Sequence, residues 1–198
     1  MFGIFRSAVM AGFTVGLAAF GYLCVGGVVG AVVFAFGLLT VVAYKLSLFT
    51  GTAGFIKKDE IPSLLLILVG NVIDCLVVSL MTRVSANDLQ SAAQGIIQSR
   101  LDNGALKSGI LAIGCGFIMT TAVTFARKGN LLPLLFGVPL FIFCGFPHCL
   151  VDAFYIMTAP VDFIKENAAD ILATYGCVVL GNFVGCNLFR TVLPDATV

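Results

Sequence analysis

The chain has 198 residues, of which 60% are hydrophobic and 11% charged, with a formal net charge of +1. Soluble globular domains carry roughly 25% charged residues, so a mean hydropathy of +1.09 leaves too little polar surface for a soluble fold. The near-neutral balance supplies no basic surface of the kind that binds nucleic acid, and no nucleic acid is expected as a partner.

A bilayer-spanning helix takes about 20 apolar residues. Six stretches qualify: 7–25, 27–43, 61–81, 108–126, 131–157 and 171–189. Little chain lies outside them, so residues 1–198 read as a single transmembrane domain, all-α, surrounded by lipid. Met1 to Arg6 looks like the start of a signal peptide, but no small-residue cleavage pattern closes the first run. It reads as a retained signal-anchor helix. The second stretch is interrupted at Leu48-Phe49-Thr50-Gly51-Thr52. The third carries Gly70-Asn71. The polar connection from Arg83 to Lys107 holds a short helix over 89–100, capped from Ser85–Asp88, and a turn at Asp102-Asn103-Gly104. That helix is either a plain surface element or a working part. The fifth stretch is broken at Gly145-Phe146-Pro147-His148, where Pro147 cannot continue a helix, and the sixth carries Gly181-Asn182.

Each half therefore runs helix, broken helix, helix with a Gly-Asn, the pattern of an inverted three-plus-three repeat. Non-helical backbone at membrane depth must be buried in protein or line a wet cavity. Two such breaks in corresponding positions mark a substrate pathway. Loop cations set the orientation. With the N-terminus in the cytoplasm, that side holds Arg6, Lys57, Lys58, Arg127, Lys128 and Arg190, and the other holds Arg83, Arg100, Lys107 and Lys165. This weak excess puts both termini in the cytoplasm.

His148 is the sole histidine. An ionisable side chain at membrane depth is a functional-site hypothesis by default, and an unperturbed pKa of about 6.5 suits proton exchange near neutrality. Thr50, in the other break, offers a hydroxyl that donates and accepts, to orient the imidazole or to meet a passing anion. Asn71 and Asn182 stand beside the breaks, as struts for the freed backbone or along the pathway itself. Lys45, Asp74 and Asp152 must face protein or pair; Lys45 is a possible partner of either aspartate, or a source of positive potential. All seven cysteines lie within apolar stretches with no paired spacing, which favours packing over disulfides or metal. One histidine and scattered aspartates are poor material for an enzyme, so no catalytic residue, cofactor or metal is expected. A purely structural membrane subunit would not need two broken helices.

Taken together, Phe34-Ala35-Phe36-Gly37-Leu38-Leu39, Leu48-Phe49-Thr50-Gly51, Gly109-Ile110-Leu111, Gly145-Phe146-Pro147-His148 with Phe154-Tyr155-Ile156, and Gly181-Asn182-Phe183-Val184-Gly185 closely resemble the formate/nitrite transporter family. The resemblance implies an aquaporin-like fold and a homopentamer with one pore per protomer. The cargo it implies is a small monovalent anion such as formate or nitrite, with hydrosulfide or another weak acid as the alternative. It places Phe34 and Phe141 at an outer constriction, Leu38, Leu48 and Phe49, with Gly116, at a cytoplasmic one, and Thr50 and His148 between them. The chain departs from the family pattern at Ser47 (an acidic residue), Ile113 (asparagine), Pro147 (glutamate) and Asp152 (asparagine). The family's anion-attracting lysine has Arg100 or Lys107 as its substitute. Asn71 follows Thr50 by only 21 positions, so the half-helix between them must be short.

Overall fold

The computed structural model describes residues 1–192. α1 (Phe2–Val25) ends at Gly26, and Gly26 and Gly27 take φ of 65° and 55°. Glycine adopts this conformation without a steric cost, so a tight turn reverses the chain into α2 (Gly27–Ala43). After the first break comes α3 (Phe49–Thr52), a single turn, then a 3-10 turn at Lys58–Glu60 and α4 (Ile61–Thr82). The half-helix after the first break is thus as short as the spacing to Asn71 requires.

α5 (Leu89–Asn103) is capped by Asp88, whose carboxylate accepts from the Ser91 amide at 3.1 Å. Hydrogen bonding from the Ser91 side chain, and then from its amide, holds the Asp88 carboxyl below its ordinary range. The second half repeats the plan: α6 (Ala105–Arg127), α7 (Leu132–Phe143), the second break, α8 (Cys149–Thr158), a short α9 (Val161–Glu166) and α10 (Ala168–Val192). α1, α4, α6 and α10 are each long and apolar enough to cross a membrane. The fifth expected span is divided into α7 and α8, and the second, which coincides with α2, is followed across a break by α3.

Large apolar side chains such as Val29, Phe36, Leu65, Leu80, Phe136 and Leu180 are exposed. A soluble monomer does not present so extensive an apolar surface; a lipid-facing surface does. Packing inside relies on small residues, which let helices approach where lipid removes the hydrophobic drive. A Cβ on Gly12 of α1 would lie 2.1 Å from the Asn71 carbonyl oxygen of α4. A Cβ on Gly116 of α6 would lie 2.2 Å from the Asn182 carbonyl oxygen of α10. These two helix pairs are the rigid frames of the two halves.

Both breaks open the same way. At the end of α2 the Leu46 amide reaches back to the Val41 carbonyl (2.8 Å), and at the end of α7 the Phe146 amide reaches the Phe141 carbonyl (2.9 Å). This six-to-one bond is the Schellman closure, which needs a left-handed residue. The second half uses Gly145 there (φ 65°) and the first uses Lys45 (φ 52°). Lys45 is the one non-glycine residue with positive φ among those described.

Candidate functional site

Beyond each closure the chain is extended for a few residues before α3 and α8 begin, and an asparagine holds each extended stretch. Asn71 Oδ1 accepts from the Phe49 amide at 2.9 Å, and its Nδ2 donates to the carbonyls of Ala8 (2.7 Å) and Ser47 (3.0 Å). Asn182 Oδ1 accepts from the Cys149 amide at 2.8 Å, and its Nδ2 donates to the carbonyls of Ala112 (2.8 Å) and Pro147 (3.0 Å). Each amide ties the break to the first helix of its own half. Both asparagines are fully buried, and these bonds occupy their donors. Their polar atoms are committed to backbone rather than turned to a passing solute.

One turn further along, thiols link the halves. Cys75 contacts the carbonyls of Gly12 (3.8 Å) and Leu150 (3.5 Å), and Cys186 those of Gly116 (3.5 Å) and Thr50 (3.4 Å). The α3 loop is further fixed by Asn187, which donates to the Ala53 carbonyl at 3.2 Å, by Arg190 on the Ile56 carbonyl, and by Arg127 stacked 3.8 Å over the Phe55 ring.

The two breaks meet at one point. Thr50 Oγ1 lies 3.1 Å from His148 Nε2, and both residues are buried. His148 Nδ1 accepts from the Leu150 amide at 3.3 Å. An amide can only donate, so the neutral imidazole carries its proton on Nε2, facing the Thr50 hydroxyl. The Phe141 ring lies 5.8 Å from the imidazole and packs edge-on against Phe34 at 6.0 Å. Leu38, Leu48 and Phe49 are buried close to the first break.

A cavity opens on either side of this point. The first, of about 340 Å³, is lined by α5, α7 and α8 and has His148, Phe141, Arg100 and Asp152 in its wall. The second, of about 530 Å³, is lined by Lys45, Leu46, Gly51, Thr52 and Arg127.

Three of the residues read from sequence fall in unexpected places. Asp152 pairs with Arg100 (3.5 Å), not with Lys45, which lines the opposite cavity. Asp74 has no cation within ion-pair range among the described residues, so Lys45 pairs with neither aspartate. Gly116 presses against the α10 backbone rather than facing Leu38, Leu48 and Phe49, so it is a packing residue. Of the two anion-attracting substitutes, Arg100 lines the first cavity, and Lys107 is exposed in the first turn of α6 and absent from that wall. The Arg100–Asp152 pair had no local signal, because it joins α5 to α8 across two intervening helices.

The family model for formate/nitrite transporters matches residues 1–194. The chain belongs to the formate/nitrite transporter family. It is therefore a multi-pass transport protein of the membrane and not an enzyme. A solved structure described as a pentameric formate channel with formate bound superposes with a TM-score of 0.83 at 21% identity, over 98% of this chain and 96% of the other. Another, described as an FNT family ion channel, gives 0.78 at 18% identity, over 100% and 90%. These likenesses establish the fold: the broken-helix architecture of this transporter family is that of the present chain. No curated protein sequence matches.

Proposed function

We propose that the chain is a channel for small monovalent weak-acid anions such as formate and nitrite. It would work as a homopentamer in the cytoplasmic membrane, with one pore per protomer and both termini in the cytoplasm. The observation that carries this reading is the Thr50–His148 hydrogen bond, formed where both breaks meet and flanked by a cavity on each side. The pentamer and the cargo are supported by a structural relative that is pentameric and holds formate.

In this reading Phe34 and Phe141 close the α5 side, which is the outer one. Leu38, Leu48 and Phe49 close the α3 side, which faces the cytoplasm. Apolar rings oppose hydrated ions, because a bare charge loses its hydration in an apolar passage at severe cost. A carboxylate or nitrite that takes a proton from the protonated imidazole of His148 crosses the next ring as the neutral acid, and the imidazole, left neutral, regains its proton from water in the flanking cavity. Thr50 holds the imidazole toward it. Asn71 and Asn182 serve the pathway by keeping the two breaks open. Hydrosulfide, another small weak acid, fits the same steps.

The test is uptake by purified protein in proteoliposomes of formate, nitrite, hydrosulfide, acetate and lactate. Formate and nitrite should enter faster than in protein-free vesicles; absence of flux for all five would overturn the proposal.

A further inference from the structure

The wall of the α5-side cavity holds an ion pair. Arg100 enters it from α5, with its side chain 14% exposed, and Asp152 from α8, with its side chain 4% exposed. Arg100 Nε lies 3.5 Å from Asp152 Oδ2, and Arg100 Nη1 donates to the Gly145 carbonyl at 2.9 Å. Asp152 Oδ1 has no hydrogen-bond partner among the described residues, although it is buried. The remaining titratable groups in this wall are His148 and the phenols of Tyr22 and Tyr155. Asp152 sits one helical turn beyond His148, its amide donating to the His148 carbonyl at 2.8 Å. Among the described residues, the wall of the opposite cavity has Lys45 and Arg127 and no carboxylate. A narrow cleft lined by charge of one sign concentrates counter-ions many-fold, and a neutral one does not.

We infer that Asp152 is a specificity-determining residue that cancels the Arg100 charge, so the α5-side cavity attracts anions far less than the Lys45–Arg127 cavity. The pair is poorly built for stability. A buried ion pair gains little when its geometry leaves lone pairs unmet, and here one carboxylate oxygen and Nε both lack hydrogen bonds. Its electrostatic consequence is direct: removing either member changes the cavity by one unit of charge, and removing both restores neutrality. The inference rests on the anion-channel reading for its meaning in transport, and on the cavity alone for its electrostatics.

Four proteins test it: wild type, Asp152→Asn, Arg100→Gln and the double variant. Asparagine keeps the shape of aspartate, and glutamine removes the charge of arginine while keeping an amide donor. Each carries Ser99→Cys, a cavity-lining position on α5. Its modification by a sulfonate-bearing and by a trimethylammonium-bearing thiosulfonate is followed by mass spectrometry. The anion-to-cation rate ratio should rise about threefold or more in Asp152→Asn and fall by a similar factor in Arg100→Gln. The double variant should lie within about twofold of wild type. The formate concentration for half-maximal uptake from the α5 side should move inversely, falling in Asp152→Asn and rising in Arg100→Gln. A rate ratio unchanged by the single variants, or a double variant that behaves like Arg100→Gln, overturns the inference. A responsive ratio with no uptake of formate, nitrite, hydrosulfide, acetate or lactate by any of the four proteins leaves the charge balance standing and overturns the anion-channel reading instead.

Discussion

Thr50 and His148 are separated by 98 positions in sequence, and their side chains meet at 3.1 Å. What brings them together is the backbone at each end: Thr50 lies in the single turn of α3, and His148 is the cap on which α8 starts. Each was readable in isolation, as the hydroxyl and the sole imidazole in two interruptions of apolar chain. Their contact followed only from the pairing of the breaks. Thr50→Val keeps the shape and deletes one hydrogen bond to Nε2, so formate uptake should fall about three- to tenfold, as expected for roughly 1 kcal/mol. Phe141→Ala removes the ring that packs on both Phe34 and His148. It should speed lactate relative to formate in a competition assay, because a large side chain then leaves the proposed outer constriction. Asp152 shows where single-residue reading stopped. Its partner Arg100 lies on a polar helix whose direction no apolar period fixes, and a plain surface role for that helix was equally open.

At the scale of elements, the repeated Gly-Asn was the legible signal, and its meaning is a set of matching hydrogen bonds. Each asparagine satisfies one amide and one carbonyl freed at a break, and donates to a carbonyl within the first helix of its half. Asn71→Leu and Asn182→Leu should each lower stability by about 2–4 kcal/mol, because buried backbone groups lose their partners. Thermal unfolding in detergent should show similar losses for the two, reflecting the equivalence of the halves. Gly12→Ala should be similarly damaging, since its Cβ would meet backbone at 2.1 Å, whereas nothing lies within 4 Å of a Cβ on Gly95 of α5. Gly95→Ala should leave the melting temperature equal or higher, as alanine favours a helix interior. Lys45 is the element-scale surprise. Its side chain looked like a charge in need of a partner, but its backbone occupies the left-handed position that Gly145 fills in the other half. Lys45→Gly should raise stability by about 1 kcal/mol by relieving that conformation. The present residue keeps a cation in the wall of the second cavity despite that cost.

For the whole molecule, composition alone placed the chain in a bilayer, and the order of breaks and Gly-Asn motifs carried the repeat. Hydropathy defined six spans; the structure divides the fifth into α7 and α8 and sets α3 beyond the second, because Schellman closures end α2 and α7. Motif order also carried the family, which the match over residues 1–194 establishes. What composition could not convey is the unequal charge of the two cavities, since a net of +1 says nothing about where charges sit. The central claim is that weak-acid anions pass the His148–Thr50 junction. Formate-driven uptake should be compared between wild type and His148→Ala in proteoliposomes, with both proteins shown to have the same oligomeric size. The account predicts that His148→Ala loses about nine-tenths or more of the wild-type rate, a tenfold effect of the size that positioned proton exchange readily exceeds. Wild-type uptake in an intact His148→Ala assembly would contradict it.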